Sequence, residues 1–250
     1  TRFKGKSEIF VRDGYFQDSE NNSTITVDPK KKNIFLFTNI YWDVGVSESG
    51  YLYNDVIEWV FDTIDLVSDR SDINLFIKPH PGELFDSSTS LKTISDFIDE
   101  RYSELPNNVQ IIYPEQKINT YDLFDFIDLG LIYNGTIGLE MMLNDIPVIS
   151  TGKTTYQNLN FAMHPKTVKD YLDLILRESY KKPSKSDLYF YAYFYFLKTT
   201  IPFDLSTTYN ASFAEIPKLE SFDELSPGKS IMIDHFCKCL TEEGFLPESW

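Results

Sequence analysis

The 250-residue chain is poor in basic residues and in cysteine. Its formal net charge of −15 argues against a nucleic-acid binder, because a phosphate backbone requires a basic face. The only cysteines, Cys237 and Cys239, lie too close in sequence for an ordinary disulfide. They could bind a metal, but no second pair of ligands lies beside them. We therefore predict reduced structural cysteines and a cytoplasmic protein.

Long apolar runs and the common nucleotide-binding signatures are also missing. No segment approaches the ~20 apolar residues of a membrane-spanning helix. The absence of Gly-x-x-x-x-Gly-Lys-Ser/Thr counts against an NTPase, and the absence of Gly-x-Gly-x-x-Gly after the first strand weakens a dinucleotide oxidoreductase. No Asp-x-Asp signature follows a strand, which disfavours a metal-dependent sugar-nucleotide site. We predict that the chain uses neither a metal nor a cofactor.

Five apolar segments alternate with stretches of helical periodicity between residues 33 and 182. Strands are predicted at 34–40, 73–78, 109–113, 129–133 and 147–150, and helices at 53–67, 91–105, 120–127, 138–143 and 168–177. This alternation predicts an α/β fold, an open and mostly parallel Rossmann-like sheet of strand order 3-2-1-4-5. We divide the chain into a lead-in segment (1–32), this Rossmann-like domain (33–182) and a C-terminal extension (183–250).

The predicted strand order reverses between the first and fourth strands. Open parallel sheets bind ligands beyond the carboxyl ends of their strands at such a reversal. The segments that leave the sheet there are 38–50, 78–83 and 134–140, which are also the most polar, glycine-containing loops of the chain. We expect the ligand site where these three segments meet.

His80 is delivered to this edge by the second strand, in the stretch LFIKPHPGE at 75–83. Two prolines and a glycine prevent the strand from continuing. His80 could be a metal ligand, a structural histidine or a donor to a phosphate. The role of His80 as a donor to a phosphate is favoured, because Lys78 would add positive charge beside it. A metal site is disfavoured, because no other histidine lies nearby in sequence.

The segment that leaves the fourth strand, YNGTIGLE at 133–140, is the second candidate site. A helix starts near Thr136, and the free amides of a helix start can hold a phosphate, with Asn134 and Gly135 in the preceding turn. The Thr136 hydroxyl could bind the ligand or cap the helix. Gly138 would permit close backbone approach, and Glu140 could accept hydrogen bonds from a ribose. A well-capped crossover helix is the alternative.

Two further loops offer candidate residues at the same edge. Asp43 and Glu48 follow the first strand and are the carboxylates best placed to act as a base or to contact an acceptor hydroxyl. Lys153 and Tyr156 follow the fifth strand, and Tyr156 could stack on a base. The second His-Pro dipeptide, at His164, is interpreted as loop because no predicted strand delivers it.

The C-terminal extension opens with LYFYAYFYFL at 188–197, which is apolar or aromatic on every side. It predicts a helix buried against the sheet domain or against a missing partner domain. Contact with a membrane surface is the alternative, although such helices usually carry a basic face that this segment lacks. Residues 204–227 are predicted to be loop, and 231–240 a final short helix.

Taken together, these motifs resemble bacterial capsule and surface-polysaccharide biosynthesis proteins, including the capsular β-Kdo transferases. The resemblance covers residues 33–200 and is carried by KPHP at 78–81, NGTIGLE at 134–140, and IPVI at 146–149 with Gly152 and Tyr156. It implies the nucleotide-binding half of a GT-B glycosyltransferase. It assigns His80 and Thr136 to the donor phosphate, Lys78 as auxiliary and Glu140 near the ribose. Gly135 departs from the pattern, where Ser or Thr is common.

The resemblance implies a metal-independent transfer of a sugar from a nucleotide-activated donor, with a CMP-Kdo-like donor favoured, to a surface or capsular glycan. His80 would act in catalysis at the leaving phosphate, and Asp43 would activate the acceptor hydroxyl. Only 32 residues precede the domain, so we expect a missing N-terminal acceptor domain or a partner subunit. Peripheral association with the inner face of the membrane stays open. Transfer of a polyol phosphate from CDP-glycerol and a non-catalytic nucleotide-binding or assembly module are the alternatives.

Overall fold

The computed structural model describes residues 25–43, 46, 50–84, 92–116, 118–198, 207–209, 215–217 and 221–241. Glu48, one of the predicted site residues, lies outside these ranges. The chain divides into two compact units, Thr1–Leu188 and Tyr189–Trp250. The predicted domain boundaries at 32/33 and 182/183 stay predictions.

The first unit is built on a five-stranded parallel sheet. Its strands are β1 (Lys32–Phe37), β2 (Ile73–Lys78), β3 (Val109–Ile111), β4 (Leu129–Ile132) and β5 (Val148–Ser150). All four neighbouring pairs are parallel, and the order is β3-β2-β1-β4-β5. The predicted fold class, strand order and reversal between the first and fourth strands are therefore confirmed.

Two of the four helices of this unit begin three residues later than the hydrophobic pattern predicts. The four helices are α1 (Val56–Val67), α2 (Ile94–Arg101), α3 (Ile137–Leu143) and α4 (Val168–Ile175). The starts of three of them are set by capping side chains: Asp55 caps α1, Thr93 forms a capping box with Asp96 on α2, and Thr167 caps α4. The helix predicted at 120–127 is a 3-10 helix, Thr120–Phe126.

Both faces of the sheet are buried, which explains the continuous apolar strands. On one face Ile34, Leu36 and Leu75 pack in a core cluster with Trp59 of α1 and Tyr171 of α4. The alternate strand positions carry aromatic rings on the other face, where Phe35 and Phe76 stack with ring centroids 4.6 Å apart. Lys78 shares this second face by the alternation of side chains along β2.

The second unit corrects one sequence prediction and leaves another open. Helix α5 (Lys185–Tyr193) continues as a π-helix, Phe194–Lys198. In the segment 188–197, Leu188 and Ala192 are buried, whereas Phe190 and Leu197 are 72% and 58% exposed, so that burial of these two against a missing partner domain stays a prediction. Apolar residues surround this helix, so one packed face cannot cover them all.

The predicted loop at 204–227 is wrong in part. It contains the antiparallel pair β6 (Thr207–Tyr209) and β7 (Glu215–Pro217), and a 3-10 helix, Phe222–Leu225. Strands of three residues are too short to show an alternating pattern. The final helix, α6 (Ile231–Thr241), confirms the predicted helix at 231–240.

Candidate functional site

The three predicted loops do leave the same edge of the sheet, and the strand register places them level with one another. Phe37 of β1 pairs with Lys78 of β2 and with Ile132 of β4. Asn39, His80 and Asn134 each lie two residues beyond the last residue of their strand. If the register is continued into these loops, Asn39 falls between His80 and Asn134. Since neighbouring strands lie about 4.8 Å apart, these residues flank one crevice.

Hydrogen bonds between the loops fix this arrangement. Asn39 Nδ2 donates to Asn134 Oδ1 at 2.8 Å, and the backbone N–H of Asn134 donates to Asn39 Oδ1 at 3.4 Å. The backbone N–H of His80 donates to Thr38 Oγ1 at 3.2 Å. Sequence reasoning missed Thr38 and Asn39 as individual residues. The available signal was an asparagine two residues after each of the two central strands.

Lys78 is the most unusual charge of the site. The residue is 6% exposed, its ammonium makes no ion pair and no hydrogen bond among the described residues, and its Nζ atom keeps some contact with solvent. Burial lowers the pKa of Lys78 from 10.5 to about 8, so the side chain is still mostly cationic at pH 7. Burying a charge without a partner is costly, and a bound anion would supply the missing compensation.

His80 presents a neutral ring with a defined tautomer. The backbone N–H of Gly82 donates to His80 Nδ1 at 3.0 Å, so that nitrogen is an acceptor and the proton of the neutral ring sits on Nε2. Burial lowers the pKa of His80, as does the neighbouring Lys78, while Asp43 opposes them. The structure thus brings the exposed Asp43 into electrostatic range of His80. At pH 7 His80 offers an N–H donor and Lys78 the positive charge.

The turn after β4 is held by Tyr156. Its hydroxyl donates to the carbonyl of Gly135 at 3.0 Å, and Gly135 has φ +109°, a conformation that favours glycine. A Cβ on Gly138 would lie 2.5 Å from the Tyr156 hydroxyl, so this glycine is needed for packing within the fold. Tyr156 is 2% exposed, and stacking on a base would need a ring face that the residue does not expose. Tyr156 and Gly138 therefore shape the turn.

Thr136 and Glu140 lie at the start of α3. The Thr136 side chain makes no capping hydrogen bond, so the predicted alternative of a helix-capping hydroxyl is wrong. Glu140 is 5% exposed, and its Oε2 accepts a hydrogen bond from the Tyr121 hydroxyl at 2.8 Å. The roles of Thr136 at a phosphate and of Glu140 at a ribose stay predictions.

Glu83 is a carboxylate of this edge to which sequence reasoning gave no role. It lies in the 3-10 turn Pro81–Leu84, is 7% exposed, and accepts a hydrogen bond on Oε2 from the backbone N–H of Ile94 at 3.2 Å. Burial raises the pKa of Glu83 from 4.5 to about 7. Its Oε1 is buried without a hydrogen-bond partner among the described residues. The only sequence signal was its position three residues after His80.

His164 corrects the interpretation of the second His-Pro dipeptide as loop. Met163 forms a parallel bridge with Ile149 of β5, so this short extended stretch delivers His164 to the carboxyl edge as β2 delivers His80. Burial lowers the pKa of His164. Within the described ranges both of its ring nitrogens are buried and unpartnered. The repeated dipeptide was the signal, but a single-residue bridge leaves no strand pattern in the sequence.

No metal cluster is found among the residues that the structure describes, where no three His, Cys, Asp or Glu side chains come together. Metal and cofactor independence stay predictions. Cys237 and Cys239 are free thiols, and Cys239 Sγ lies 3.3 Å from His235 Nε2. Within the described ranges, no helix is long and apolar enough to cross a membrane.

Comparisons with known proteins find a likeness of fold. No protein-family model matches the sequence, and no curated protein matches it. Among solved structures, the chain is similar to the β-Kdo 2,4 transferase KpsC of Thermosulfurimonas dismutans, at 15% identity and a TM-score of 0.45, over 67% of this chain and 45% of that one. It is also similar to the UDP-GlcNAc 2-epimerase of Neisseria meningitidis, at 14% identity and a TM-score of 0.44, over 60% of this chain and 37% of that one.

A third similar structure is the C-terminal domain of a group 1 glycosyl transferase, LpcC, from Francisella tularensis, at 14% identity and a TM-score of 0.36, over 59% of this chain and 74% of that one. The chain spans less than half the length of the KpsC and epimerase chains. This similarity thus includes a β-Kdo transferase, the kind of protein that the sequence resembles. At these identities and TM-scores it carries no argument for an activity.

Proposed function

We propose that this chain is the donor-binding half of a glycosyltransferase that moves a sugar from a nucleotide-activated donor to a surface or capsular glycan. The observation that carries the proposal is the buried Lys78 ammonium, unpartnered among the described residues, beside the Nε2–H donor of His80 at the strand-order reversal. A phosphate placed between them would receive one positive charge and one directed hydrogen bond. The same crevice is bordered by Asn134, Gly135 and Thr136.

This pairing suits the bond that breaks in glycosyl transfer. The acceptor hydroxyl attacks the anomeric carbon, the bond from that carbon to the phosphate oxygen breaks, and the electron pair leaves with the nucleoside phosphate. Lys78 and His80 would stabilise the negative charge that develops on the departing phosphate. The acceptor proton passes to a base, for which Asp43, exposed and near His80, is the candidate.

The charge of the site favours a donor with a single phosphate, such as a CMP-Kdo-like sugar. Lys78 contributes one cationic charge, while the lowered pKa of His80 makes that ring a neutral donor at pH 7. A sugar phosphodiester carries one negative charge, which matches Lys78. A nucleoside diphosphate would bring a second charge, and Lys153 at the same edge is exposed to solvent. Glu140 would contact the ribose, and a missing half or partner would supply the glycan acceptor site.

The test is a thermal-shift and calorimetric titration with CMP, CDP, UDP, GDP and GMP. Ligand that binds only the native state raises the unfolding midpoint by mass action, so even a weak site responds at millimolar ligand. We expect stabilisation by CMP that is lost in His80→Ala and Lys78→Met. Lys153→Met is the matched control, because it removes a lysine from the same edge but from an exposed position.

Other results would change the assignment. A preference for CDP would support transfer of a polyol phosphate, and silence from all five nucleotides would contradict a nucleotide site in this chain. Unchanged CMP binding in Lys78→Met would contradict the role of the buried ammonium. Circular dichroism of each variant without ligand separates lost binding from lost folding. Release of CMP from a CMP-sugar in the presence of a glycan acceptor then distinguishes an enzyme from a binding module.

A further inference from the structure

Among the described residues, four hydrogen bonds order the turn that follows β2. Two are internal: Gly82 N–H donates to His80 Nδ1 at 3.0 Å, and Glu83 N–H donates to the His80 carbonyl at 3.0 Å. The third joins His80 N–H to Thr38 Oγ1 at 3.2 Å. The fourth joins Glu83 Oε2 to the first amide of α2, that of Ile94, at 3.2 Å. The orientation of the His80 ring therefore depends on the position of this turn.

The bond from Glu83 is not an ordinary helix cap. Helix α2 already has its own capping box, in which Thr93 and Asp96 each bind the backbone of the other. Glu83 instead reaches an amide 11 residues further along the chain, and so connects the His80 turn to a separate element. Removing this carboxyl would free the turn without removing the local cap of the helix.

The electrostatic surroundings of the Glu83 carboxyl are unusual. Burial raises its pKa to about 7, and two further carboxylates face it, Asp96 of α2 and Glu115 of the 3-10 helix Pro114–Gln116. Tyr41, from the loop after β1, lies near it as well. A group kept so close to neutrality, with one oxygen unpartnered among the described residues, is not explained by stability alone.

We propose that Glu83 is a positioning residue that ties the Pro81–Leu84 turn to α2 and thereby holds the His80 ring with Nδ1 as acceptor and Nε2–H directed to the donor phosphate. The part that concerns the phosphate rests on the function proposed above. The part that concerns the ring does not, because the tautomer of His80 can be measured without any ligand.

The experiment combines imidazole ¹H–¹⁵N correlation spectra with CMP titrations. In the wild type we expect Nδ1 to be unprotonated and Nε2 protonated at pH 7.5. Glu83→Ala should give a mixture of tautomers and weaken CMP binding by about tenfold, which corresponds to ~1.4 kcal/mol. Glu83→Gln keeps a carbonyl oxygen that can accept from Ile94 and should retain both properties. Glu115→Gln, which changes a nearby exposed carboxylate, is the matched control.

Unchanged tautomers and unchanged CMP affinity in Glu83→Ala would overturn the proposal. If that variant does not fold, Glu83→Asp replaces it, since the shorter side chain draws back from Ile94 while the acid is kept. A wild-type tautomer in a folded Glu83→Asp, with unchanged CMP affinity, would equally overturn it. A third outcome separates the two proposals. If the wild type has the expected tautomer, the Glu83 variant loses it, and the wild type binds no nucleotide, then the proposed function is refuted and the positioning role stands.

Discussion

Lys32 and Lys78 lie at opposite edges of the sheet, and their ammonium groups differ in their hydrogen-bond partners. Lys32, at the start of β1, donates from Nζ to the carbonyl of Ile175 and to the hydroxyl of Tyr180, each at 2.6 Å, and also to the carbonyl of Arg177. Lys78, at the end of β2, has no such partner among the described residues. Burial lowers the pKa of both to about 8. A half-buried lysine at one edge therefore has a satisfied ammonium, and a buried lysine at the other edge has none of these partners.

The same contrast extends to other polar groups of the two edges. At the amino edge Asn108 Nδ2 donates to the carbonyls of Val67 and Arg70, and Asn33 Nδ2 to those of Asp28 and Lys31. Within the described ranges, the buried polar atoms without a hydrogen-bond partner include Glu83 Oε1 and Thr154 Oγ1, which follow β2 and β5 at the carboxyl edge. The amino edge satisfies these polar groups within the fold, whereas polar atoms at the carboxyl edge lack partners among the described residues, which costs stability.

The largest expected effect is that of Lys78→Met. Removing a buried, unpartnered ammonium should raise the free energy of unfolding by up to about 3 kcal/mol, the size that matches a pKa lowered from 10.5 to about 8. Nucleotide binding should be lost in the same variant. Chemical denaturation and CMP titration measure the two effects.

The pH dependence of Lys78→Met gives a second readout. Between pH 8 and pH 10.5 the unfolded state binds the lysine proton and the native state does not, so the stability of the wild type rises with pH there. The advantage of the variant should therefore be greatest below pH 8 and fade above it. A variant less stable than the wild type at pH 7 would show that Lys78 is a structural charge and would remove the contrast between the edges.

Lys32→Met should stabilise the fold much less than Lys78→Met, although burial lowers the pKa of both lysines to about 8. It leaves the oxygens of Ile175, Arg177 and Tyr180 without their donor, which should cost about 1 to 2 kcal/mol. CMP affinity should not change, because Lys32 lies at the amino edge. The same denaturation and titration measurements apply, and weakened CMP binding in a folded Lys32→Met would contradict the separation of roles.

The regular strands could be predicted from the sequence, whereas the contacts beyond the strand ends could not. Strand β2 was predicted with the bounds that it has, because a buried strand followed by two prolines has a clear pattern. Lys78 and His80 could be placed for the same reason. Asn39, Glu83 and His164 could not, because their positions depend on a pairing across strands, a tether to α2 and a single β-bridge. Such contacts join distant segments and leave no periodic signal in either one.

A smaller effect is expected from pH on nucleotide affinity. Lys78 loses its proton through a pKa of about 8 in the unliganded protein, so CMP binding should be about tenfold weaker at pH 9 than at pH 7. His80, whose pKa is lowered, stays neutral over this range and should add no second step. Calorimetric titrations from pH 6.5 to 9.5 test this. An affinity that is flat across pH 8 would mean that Lys78 does not bind the ligand.

The smallest effect compares two threonines at helix starts. Thr167 Oγ1 accepts a hydrogen bond from the Asp170 amide at 3.0 Å, whereas Thr136 makes no capping bond on α3. Thr167→Val should therefore cost about 1 kcal/mol of stability without changing CMP affinity. Thr136→Val should weaken CMP binding about threefold through the loss of one hydroxyl donor. If both variants lose only stability, Thr136 belongs to the scaffold, and the phosphate site narrows to Lys78, His80 and the backbone amides of the turn after β4.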